Sequence, residues 1–331
     1  MRVVYKSFLA GFAASTVLIF VSAASAADLP KSSACTVMGI VSGGAGTDRV
    51  TLTEDPNSAD FNWLDGFGEG ALGWRCGNWN FQADAALHNF TGTDTPSAET
   101  GHFRDRQTHI GGAIFARVPD VAAVGISASV ISDAARLDVE SPLGDFSLSG
   151  SGNIFRFGAF GEYYVSDQLT IGGSAHYLKG GVPVPLFPPN DEVSGLEVSA
   201  LAKYYISENF VLTARADLFN GHLDLKGLGV SVAKLTGAAA SLEGEYGLPN
   251  SNFSLFVGGR LAQRDFAITG YPTAELSDMQ LYTGLKFSFG GGTASLAERD
   301  RSGTYDNTSV FAEKLPNISD SLVRGESFFG P

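Results

Sequence analysis

Histidine and serine residues are the first candidates for chemistry in this sequence. There are five histidines: His88, His102, His109, His176 and His222. They show no HExxH or similar ligand spacing, and the nucleophilic-serine motif GxSxG does not occur. His176 shares one face of a period-2 pattern with Ser174, the single pairing that suggests hydrolysis. The sequence therefore predicts no metal, no cofactor and no enzyme, and an outer-membrane lipid-modifying enzyme remains the catalytic alternative.

A glycine motif is the second candidate. The stretch from Gly68 to Gly73, GEGALG, matches GxGxxG. A dinucleotide-binding fingerprint needs a strand before it and a helix after it. These glycines lie inside a strand pattern, where glycine permits close packing and curvature. We interpret the match as a coincidence.

The two cysteines, Cys35 and Cys76, lie at the ends of the first two predicted strands. In a hairpin centred between residues 55 and 56 they fall opposite one another. An exported protein permits a disulfide, and this one would close a long loop and fix the hairpin. We predict a Cys35–Cys76 disulfide, with two separate reduced thiols as the alternative.

Charged residues in the middle of strand patterns form the largest set of candidate site residues. They alternate with apolar residues and therefore face away from the apolar rows. Seven are acidic and seven are basic: Glu69, Asp84, Glu162, Glu197, Asp217, Glu243 and Glu245, with Arg75, Arg117, Arg156, Lys203, Arg215, Arg260 and Lys286. Such charges suit the polar lumen of a transmembrane barrel. They either pair and nearly fill the interior or line a water-filled channel.

Period-2 alternation predicts the strands that position these charges. There are twelve: 36–46, 64–76, 79–90, 104–118, 122–137, 152–165, 169–180, 194–206, 210–223, 234–248, 253–268 and 277–290. The first is blurred by three glycines, so ten or fourteen strands remain alternatives. An open sheet edge does not survive in lipid, so the sheet must close. The sequence predicts an all-β, up-and-down antiparallel barrel with both chain ends in the periplasm.

The connections between these strands alternate between short and long. Tight-turn compositions occur at residues 77–78, 119–120, 166–168, 207–209 and 249–252, and long connections at 47–63, 91–103, 138–150, 181–193, 224–233 and 269–278. This alternation is typical of outer-membrane barrels. Aromatic residues beside the short turns, such as Trp74, Trp79, Tyr163 and Tyr164, predict an interfacial girdle. Chance aromatics in the core of a soluble β-sandwich are the alternative.

The long connections are acidic. They contain Asp48, Glu54, Asp55, Asp60, Asp94, Glu99, Asp138, Glu140, Asp145, Asp191, Glu192, Glu275 and Asp278. An acidic vestibule concentrates cations at low salt. The alternatives are solubility or the binding of divalent ions beside lipopolysaccharide.

The N-terminus and composition define the compartment. Arg2 and Lys6 precede an uncharged run that ends in Ala24-Ser25-Ala26, which predicts a cleaved signal peptide over residues 1–26. Net charge is −13, and −15 once Arg2 and Lys6 are removed, which argues against nucleic acid as a partner. The barrel is expected over residues 27–290 and a polar tail, disordered and periplasmic, over 291–331. The alternative is that the tail docks a periplasmic partner or folds back into the barrel mouth.

Two short motifs carry a family resemblance. Residues 26–30, AADLP, resemble the exported start of alphaproteobacterial porin-like proteins, and Tyr282, Gly284, Phe287 and Phe289 resemble the C-terminal assembly signal of Gram-negative outer-membrane barrels. The family pattern ends the chain at the last Phe, whereas here the chain continues. The resemblance implies the barrel-assembly machinery, outer-membrane lipid and lipopolysaccharide as partners.

Together these patterns predict a porin-like channel for small hydrophilic solutes with a mild cation preference. The first alternative is a non-conducting structural or adhesive barrel that links envelope layers. Oligomeric state does not follow from the sequence.

Overall fold

The structure, a computed structural model, is a closed barrel of twelve antiparallel strands. It describes residues 35–54, 57–94, 100–140, 146–181, 192–225, 230–268, 273–290 and 295–307. The strands are β1 (Thr36–Glu54), β2 (Asn57–Cys76), β3 (Trp79–Asp94), β4 (Thr100–Val118), β5 (Ala122–Glu140), β6 (Phe146–Ser166), β7 (Leu169–Gly181), β8 (Glu192–Ser207), β9 (Phe210–Leu225), β10 (Val230–Gly247), β11 (Phe253–Ile268) and β12 (Ala274–Phe289). Each strand pairs with its sequence neighbours, and β1 pairs with β12. The predicted all-β, up-and-down barrel of twelve strands is confirmed.

The strands are longer than predicted on the side of the long connections. Residues 47–54 and 57–63, expected in a loop, belong to β1 and β2, which stay paired as far as Glu54 and Asn57. Asp and Asn are uncommon in strands, but this preference depends strongly on context, and Thr and Val favour strands, so a hairpin that is already paired extends through this segment. A strand crosses a bilayer with about 9–11 residues, whereas β7 has 13 and β6 has 21. The sheet therefore extends beyond the membrane at this end.

The two faces of the sheet differ in polarity as the alternation requires. Ile110, Leu64 and Val257 face outward and are 65%, 61% and 64% exposed. Glu197 and Asp217 face inward and are 0% exposed. An apolar outer band around a polar interior is the arrangement of a transmembrane barrel, in which lipid covers the outer band. The hydrocarbon-facing surface predicted from the period-2 rows is therefore present.

Aromatic side chains follow the short turns on the outer face. Trp74, Trp79 and Tyr163 are exposed there. Tyr164, which was predicted in the same girdle, is 5% exposed and lies in the lumen. Successive side chains of a strand point to opposite faces, so Tyr163 and Tyr164 do not both reach lipid.

The two cysteines form the predicted disulfide, with Cα atoms 4.3 Å apart. The β1–β2 register pairs Thr36 with Arg75, which sets Cys35 beside Cys76 as the sequence arithmetic required. The bridge closes a loop with a sequence separation of 41 residues next to the seam where β1 meets β12.

Removal of this disulfide is expected to destabilise the barrel. A bridge of this loop length restricts the unfolded chain, an effect of about 2–4 kcal/mol. We expect the Cys35→Ser/Cys76→Ser variant to unfold at lower urea concentration, with a steeper slope because its unfolded chain is less compact, as followed by tryptophan fluorescence in detergent. The reduced parent protein is the control for the serine substitutions themselves, because it lacks the bridge and keeps both sulfur atoms. Equal urea midpoints for the oxidised and double-serine proteins would contradict this prediction.

A short helix, α1 (Leu296–Ser302), follows the last strand. Ser295 caps it: its hydroxyl accepts from Glu298 N, and the Glu298 carboxylate accepts from Ser295 N in return. Residues 295–307 of the predicted tail are ordered by this capping box and by the lumen contacts described below, as in the alternative that the tail folds back into the barrel mouth. Residues 1–34 and 308–331, including the predicted signal peptide, lie outside the described residues. Among the residues that the structure describes, no helix has the length and apolar character needed to cross a membrane.

Candidate functional site in the barrel lumen

Residues 295–307, here called the plug, enter the lumen from the short-turn end. Leu296 N donates to the carbonyl oxygen of Glu208 in the β8–β9 turn at 2.9 Å. The Leu296 side chain is buried against Tyr205 and Val211. Arg301 donates to the carbonyl oxygen of Ser166 in β6. Helix α1 is thus anchored to the rim by contacts on several strands.

Two tyrosines of the lumen wall surround the charged side of α1. The guanidinium of Arg301 lies 5.1 Å from the ring centre of Tyr164 and 5.5 Å from that of Tyr205, within cation–π range. Asp300 accepts from Tyr205 Oη at 3.0 Å and from Lys203 Nζ at 3.3 Å. The inward position of Tyr164 therefore contributes to holding the plug.

Beyond the helix, the plug backbone is bound by side chains of the barrel wall. Arg117 Nη1 donates to the Gly303 carbonyl oxygen at 2.9 Å. The amide of Gln82 donates to the Tyr305 carbonyl oxygen and accepts from Tyr305 N, both at 2.7 Å. The Tyr305 ring stacks on Phe160 with centroids 3.5 Å apart. This segment therefore lies across the interior instead of hanging outside.

The last described residue of the plug, Asn307, reaches the middle of the barrel. Arg156 Nη1 donates to the Asn307 carbonyl oxygen at 2.8 Å and to its Oδ1 at 3.1 Å. Asn307 Nδ2 donates to Asp84 Oδ2 at 3.3 Å. Asn307, 4% exposed, thus bridges β3 and β6 through the lumen.

Arg156 is also the centre of a buried hydrogen-bond network on the barrel wall. Its Nη2 donates to His176 Nδ1 at 2.9 Å and to Glu197 Oε1 at 3.2 Å. His176 Nε2 lies 2.8 Å from Ser127 Oγ. Because a guanidinium only donates, His176 Nδ1 accepts, and the ring proton is on Nε2, where it donates to the serine. His176 is then unable to act as base toward Ser127, so this Ser–His pair is structural.

A second buried cluster occupies the lumen nearer the long connections. Gln280 Nε2 donates to Asp48 Oδ2 at 3.1 Å and to Asp65 Oδ2 at 2.9 Å. Asp278 and Arg260 are buried as well. Asp48 and Asp278 were predicted in an acidic vestibule of loops. That placement is wrong, because β1 and β12 extend through these positions and turn both carboxylates inward.

The charges predicted for the lumen all lie on its inner face, where the structure sorts them into three groups. Four bind the plug directly: Asp84, Arg117, Arg156 and Lys203. Others pair within the wall, including Arg215 with Asp217 at 2.9 Å and Lys286 with Glu245 at 2.5 Å. Glu197 pairs with Arg156 at 3.2 Å. The remaining ones, which are buried or half-buried, are Glu69, Arg75, Glu162, Glu243 and Arg260.

The sequence analysis missed several polar residues of the plug, of the wall that binds it and of the Arg156 network. These are Gln82, Ser127, Asp300, Tyr305 and Asn307. The S-x-x-E pattern from Ser295 to Glu298, followed by Gly303, was the available signal for a capped helix.

Comparison with known proteins gives similarity of fold only. No protein-family model matches the chain, and no curated protein matches it. Solved structures similar to it include the translocator domain of the autotransporter NalP from Neisseria meningitidis, with 14% identity, 83% of this chain, 96% of that chain and a TM-score of 0.46. The β domain of the Bordetella autotransporter BrkA shows 9% identity over 77% of this chain and 100% of that one, with a TM-score of 0.49. The P. putida toluene transporter TodX shows 8% identity, 77% and 90% coverage and a TM-score of 0.41.

The electrostatics of the plug centre on Asp300. Burial raises the pKa of its carboxyl, but Lys203 and Lys286 together with the Tyr205 hydroxyl outweigh burial and hold the pKa below its ordinary value. For Tyr305, burial raises the pKa of the hydroxyl, so the stacked phenol stays neutral. Asp300 is therefore a carboxylate that the docked state keeps ionised.

Docking of the plug should weaken in acid through Asp300. A pKa lowered on docking stabilises the docked state fully above the free value of 3.8, and this contribution disappears as pH falls through the lowered pKa. We therefore expect plug release, read as cleavage near Arg301 by an acid-active protease, to begin only below about pH 4. The Asp300→Asn variant should release more readily at neutral pH and show less of the acid step. An identical pH profile for the two proteins would contradict a role for Asp300.

Proposed function

We propose that the protein is an outer-membrane channel for small hydrophilic solutes, with a mild cation preference, that its own C-terminal plug closes. The observation that supports this most is the position of Asn307 between Asp84 and Arg156 in mid-lumen. The interior of a twelve-stranded barrel is intermediate in width between small barrels that side chains fill and large barrels that leave an aqueous channel. In this barrel, a short segment of chain is placed where solute would pass.

Closure by the plug is of a kind that can reverse. Its contacts with the wall include three hydrogen bonds to its backbone carbonyl oxygens, from Arg117, Gln82 and Arg156. Water can replace such bonds, so each contributes little net free energy. Helix α1 has 7 residues, too few to be stable alone in water. The plug therefore holds only while it is docked.

The location in the outer membrane of a Gram-negative bacterium is part of the same proposal. It rests on the closed sheet with an apolar outer band and on the predicted signal peptide. Phe287 belongs to the segment that resembles an assembly signal, and it packs against Phe253 on the outer face, with ring centroids 4.8 Å apart. Tyr282 and Gly284 of that signal face the lumen, and Phe289 follows Phe287 on the outside. Outer-membrane lipid, lipopolysaccharide and the barrel-assembly machinery are the partners that this location implies.

One observation favours a second candidate, the non-conducting structural barrel. Asp48, Arg260 and Asp278 lie in the lumen near the long connections and are at most 4% exposed. If this cluster also blocks passage, the barrel is closed twice and serves as a scaffold between envelope layers.

Planar-bilayer recording of the full chain tests the proposal. We expect long closed intervals interrupted by openings whose conductance is proportional to salt concentration. In a KCl gradient, the reversal potential should be displaced toward the equilibrium potential of K⁺. A permanently open pore would contradict closure by the plug. The absence of openings at every voltage, for both the full chain and a chain without the plug, would overturn the channel and favour the structural barrel.

A further inference from the structure

An apolar ring lines the lumen on the side of the long connections. Trp63 and Leu276 lie on the inner face, two residues beyond the buried carboxylates Asp65 and Asp278. Six members of this ring, here called the apolar collar, are each at most 2% exposed: Trp63, Phe90, Phe103, Leu223, Leu235 and Leu276. The polar interior of the barrel therefore ends in an apolar section.

The strand register places the side chains of the collar at a similar level. Gly92 on β3 is the register partner of both Trp63 on β2 and Phe103 on β4. Because Gly92 has no side chain, the two rings meet beside it with centroids 4.7 Å apart. Across the barrel, Leu223 and Leu235 on β9 and β10 lie within two residues of direct register. The collar is therefore a continuous feature of the wall.

The burial of the collar indicates that the barrel axis is occupied at this level. Neighbouring wall residues cover the sides of an inward side chain, whereas its end points to the axis. The ends of Phe90 and Leu235 are covered as well, because both residues are 0% exposed. Twelve strands leave an interior wider than that of small barrels, which wall side chains fill alone. The occupant should be apolar, since contact between such a ring and water is unfavourable.

The described plug runs toward this collar from the short-turn end. Tyr305 binds Gln82, and two residues later Asn307 binds Asp84. Gln82 and Asp84 are successive inward residues of β3, a strand that runs from a short turn toward a long connection. The chain therefore leaves Asn307 in the direction of the collar.

The distance from Asn307 to the collar is short compared with the chain that follows. Phe90 lies six residues beyond Asp84 on β3, which is roughly 15 Å along the barrel axis for strands tilted by about 40°. An extended chain covers about 3.3 Å per residue, so about five residues beyond Asn307 reach the collar. Residues 308–331 follow Asn307 in the sequence, so the chain is long enough to pass through it.

The composition of the chain changes at the matching point. From Ser302 to Asn307 the sequence SGTYDN has no aliphatic side chain, and this segment lies against the polar part of the wall. Val310 and Phe311 follow, and then Leu315. The order of polar and apolar residues along the chain is therefore the order of polar and apolar levels along the lumen.

From these features we infer that residues 308–331 continue through the lumen and that Phe311 and Leu315 pack inside the apolar collar. The occupant of the collar is thus the protein's own chain. The C-terminus then emerges at the end of the long connections and is accessible there to partners, whereas strand alternation alone predicts both chain ends at the short-turn end. The inference goes beyond the proposed function and rests on it only for which end of the barrel faces outward.

Thiol labelling of the purified full-length protein in detergent tests the occupant. The two cysteines of the sequence form a disulfide with each other, so an introduced cysteine supplies the reactive thiol. Ala312→Cys places this thiol next to Phe311 and keeps both apolar anchors. We expect a maleimide to label it at least about tenfold more slowly than Asp167→Cys, at an exposed position of the β6–β7 turn, because a tenfold ratio requires only about 1.4 kcal/mol of docking free energy.

Two pairs of substitutions in the tail separate the anchors from the residues beyond them. Phe311→Ser combined with Leu315→Ser should raise the labelling rate of Ala312→Cys about tenfold, toward that of Asp167→Cys. Phe328→Ser combined with Phe329→Ser is the matched control, since it also removes two apolar side chains but lies beyond the collar, and it should leave the rate unchanged. All these positions follow the last strand, and heat-modified migration on gels checks that each barrel is folded.

Labelling of intact cells with a membrane-impermeant maleimide tests where the chain ends. Gly330→Cys should react from outside the cell. Thr53→Cys is the control for that side, because Thr53 is exposed at the end of β1 beside a long connection. Asp167→Cys, in a short turn, should react only after the outer membrane is permeabilised.

Slow labelling of Ala312→Cys together with labelling of Gly330→Cys from outside would uphold the inference. Labelling of Ala312→Cys as fast as Asp167→Cys would overturn it and assign the collar to another occupant, such as the long connections. Equal effects of the two serine pairs, or labelling of Gly330→Cys only after permeabilisation, would overturn it as well. An occupied collar in a barrel that never conducts would overturn the channel alone, and a conducting barrel with a freely labelled Ala312→Cys would overturn the threaded tail alone.

Discussion

Truncation after Gly290 is expected to convert a mostly closed barrel into a mostly open one. All twelve strands end before this point, so the wall stays complete while the plug is lost. The lost contacts include bonds from Arg117, Gln82 and Arg156 to the plug backbone. Each 1.4 kcal/mol of docking free energy corresponds to a factor of ten in occupancy, so we expect the time-averaged conductance in planar bilayers to rise at least about tenfold.

A chain that ends at Asn307 is the control for this truncation. It removes residues 308–331 but keeps helix α1 and every plug contact described above. We expect its conductance to resemble that of the full chain. Equal opening of the two truncated proteins would assign closure to residues beyond Asn307, and equal closure of both would assign it to the wall.

Replacement of Arg156 by Met is expected to have the largest effect on stability. Arg156 is 2% exposed and binds Asn307, His176 and Glu197 at once. Its removal leaves Glu197, which is 0% exposed, without this cation. Loss of one partner of a buried ion pair costs about 3–5 kcal/mol. The midpoint of urea unfolding in detergent should fall accordingly, and the plug should open more often in bilayer recordings.

Two further variants separate charge from packing at this site. Arg156→Met combined with Glu197→Gln should recover a large part of the lost stability, since no buried charge is then left behind. Arg136→Met removes an arginine whose side chain is 57% exposed and pairs with Asp138, so it should change the midpoint by less than about 1 kcal/mol. A double variant as unstable as Arg156→Met would show that shape, and not charge, is the main contribution of Arg156.

The barrel was predictable from the sequence because period-2 alternation is local. The rows that contain Phe81 and Phe157 face lipid in the structure as the pattern required. The register of β1 with β2 followed from the positions of Cys35 and Cys76 alone. Strand ends were less predictable: Asp48 and Trp63 lie in strands although their surroundings have a loop composition. The hydrogen bonds between paired strands are made by the backbone, and the composition of the side chains indicates them only indirectly.

The sequence predicted which side chains face the lumen, but it did not predict which of them pair with one another. Glu197 and Arg156 follow from alternation within β8 and β6, but their pairing depends on how the barrel curves. A tail that folds back into the barrel mouth was only the alternative prediction. Its contacts were missed because Tyr305 and Asn307 acquire their role only against distant residues, with sequence separations of 223 to Gln82 and 151 to Arg156. A polar segment with few aliphatic side chains has no periodic signal of its own. Its order comes from hydrogen-bonding groups that the wall supplies.

The contacts of the plug also indicate when it docks during folding. Its partners lie on β3, β4, β6 and β8, strands that come together around one axis only after β12 has joined β1. The plug is also the part of the described chain that is made last. A segment that binds four strands at once docks completely only when those strands have formed the wall, so we expect docking of the plug to be a late step of folding.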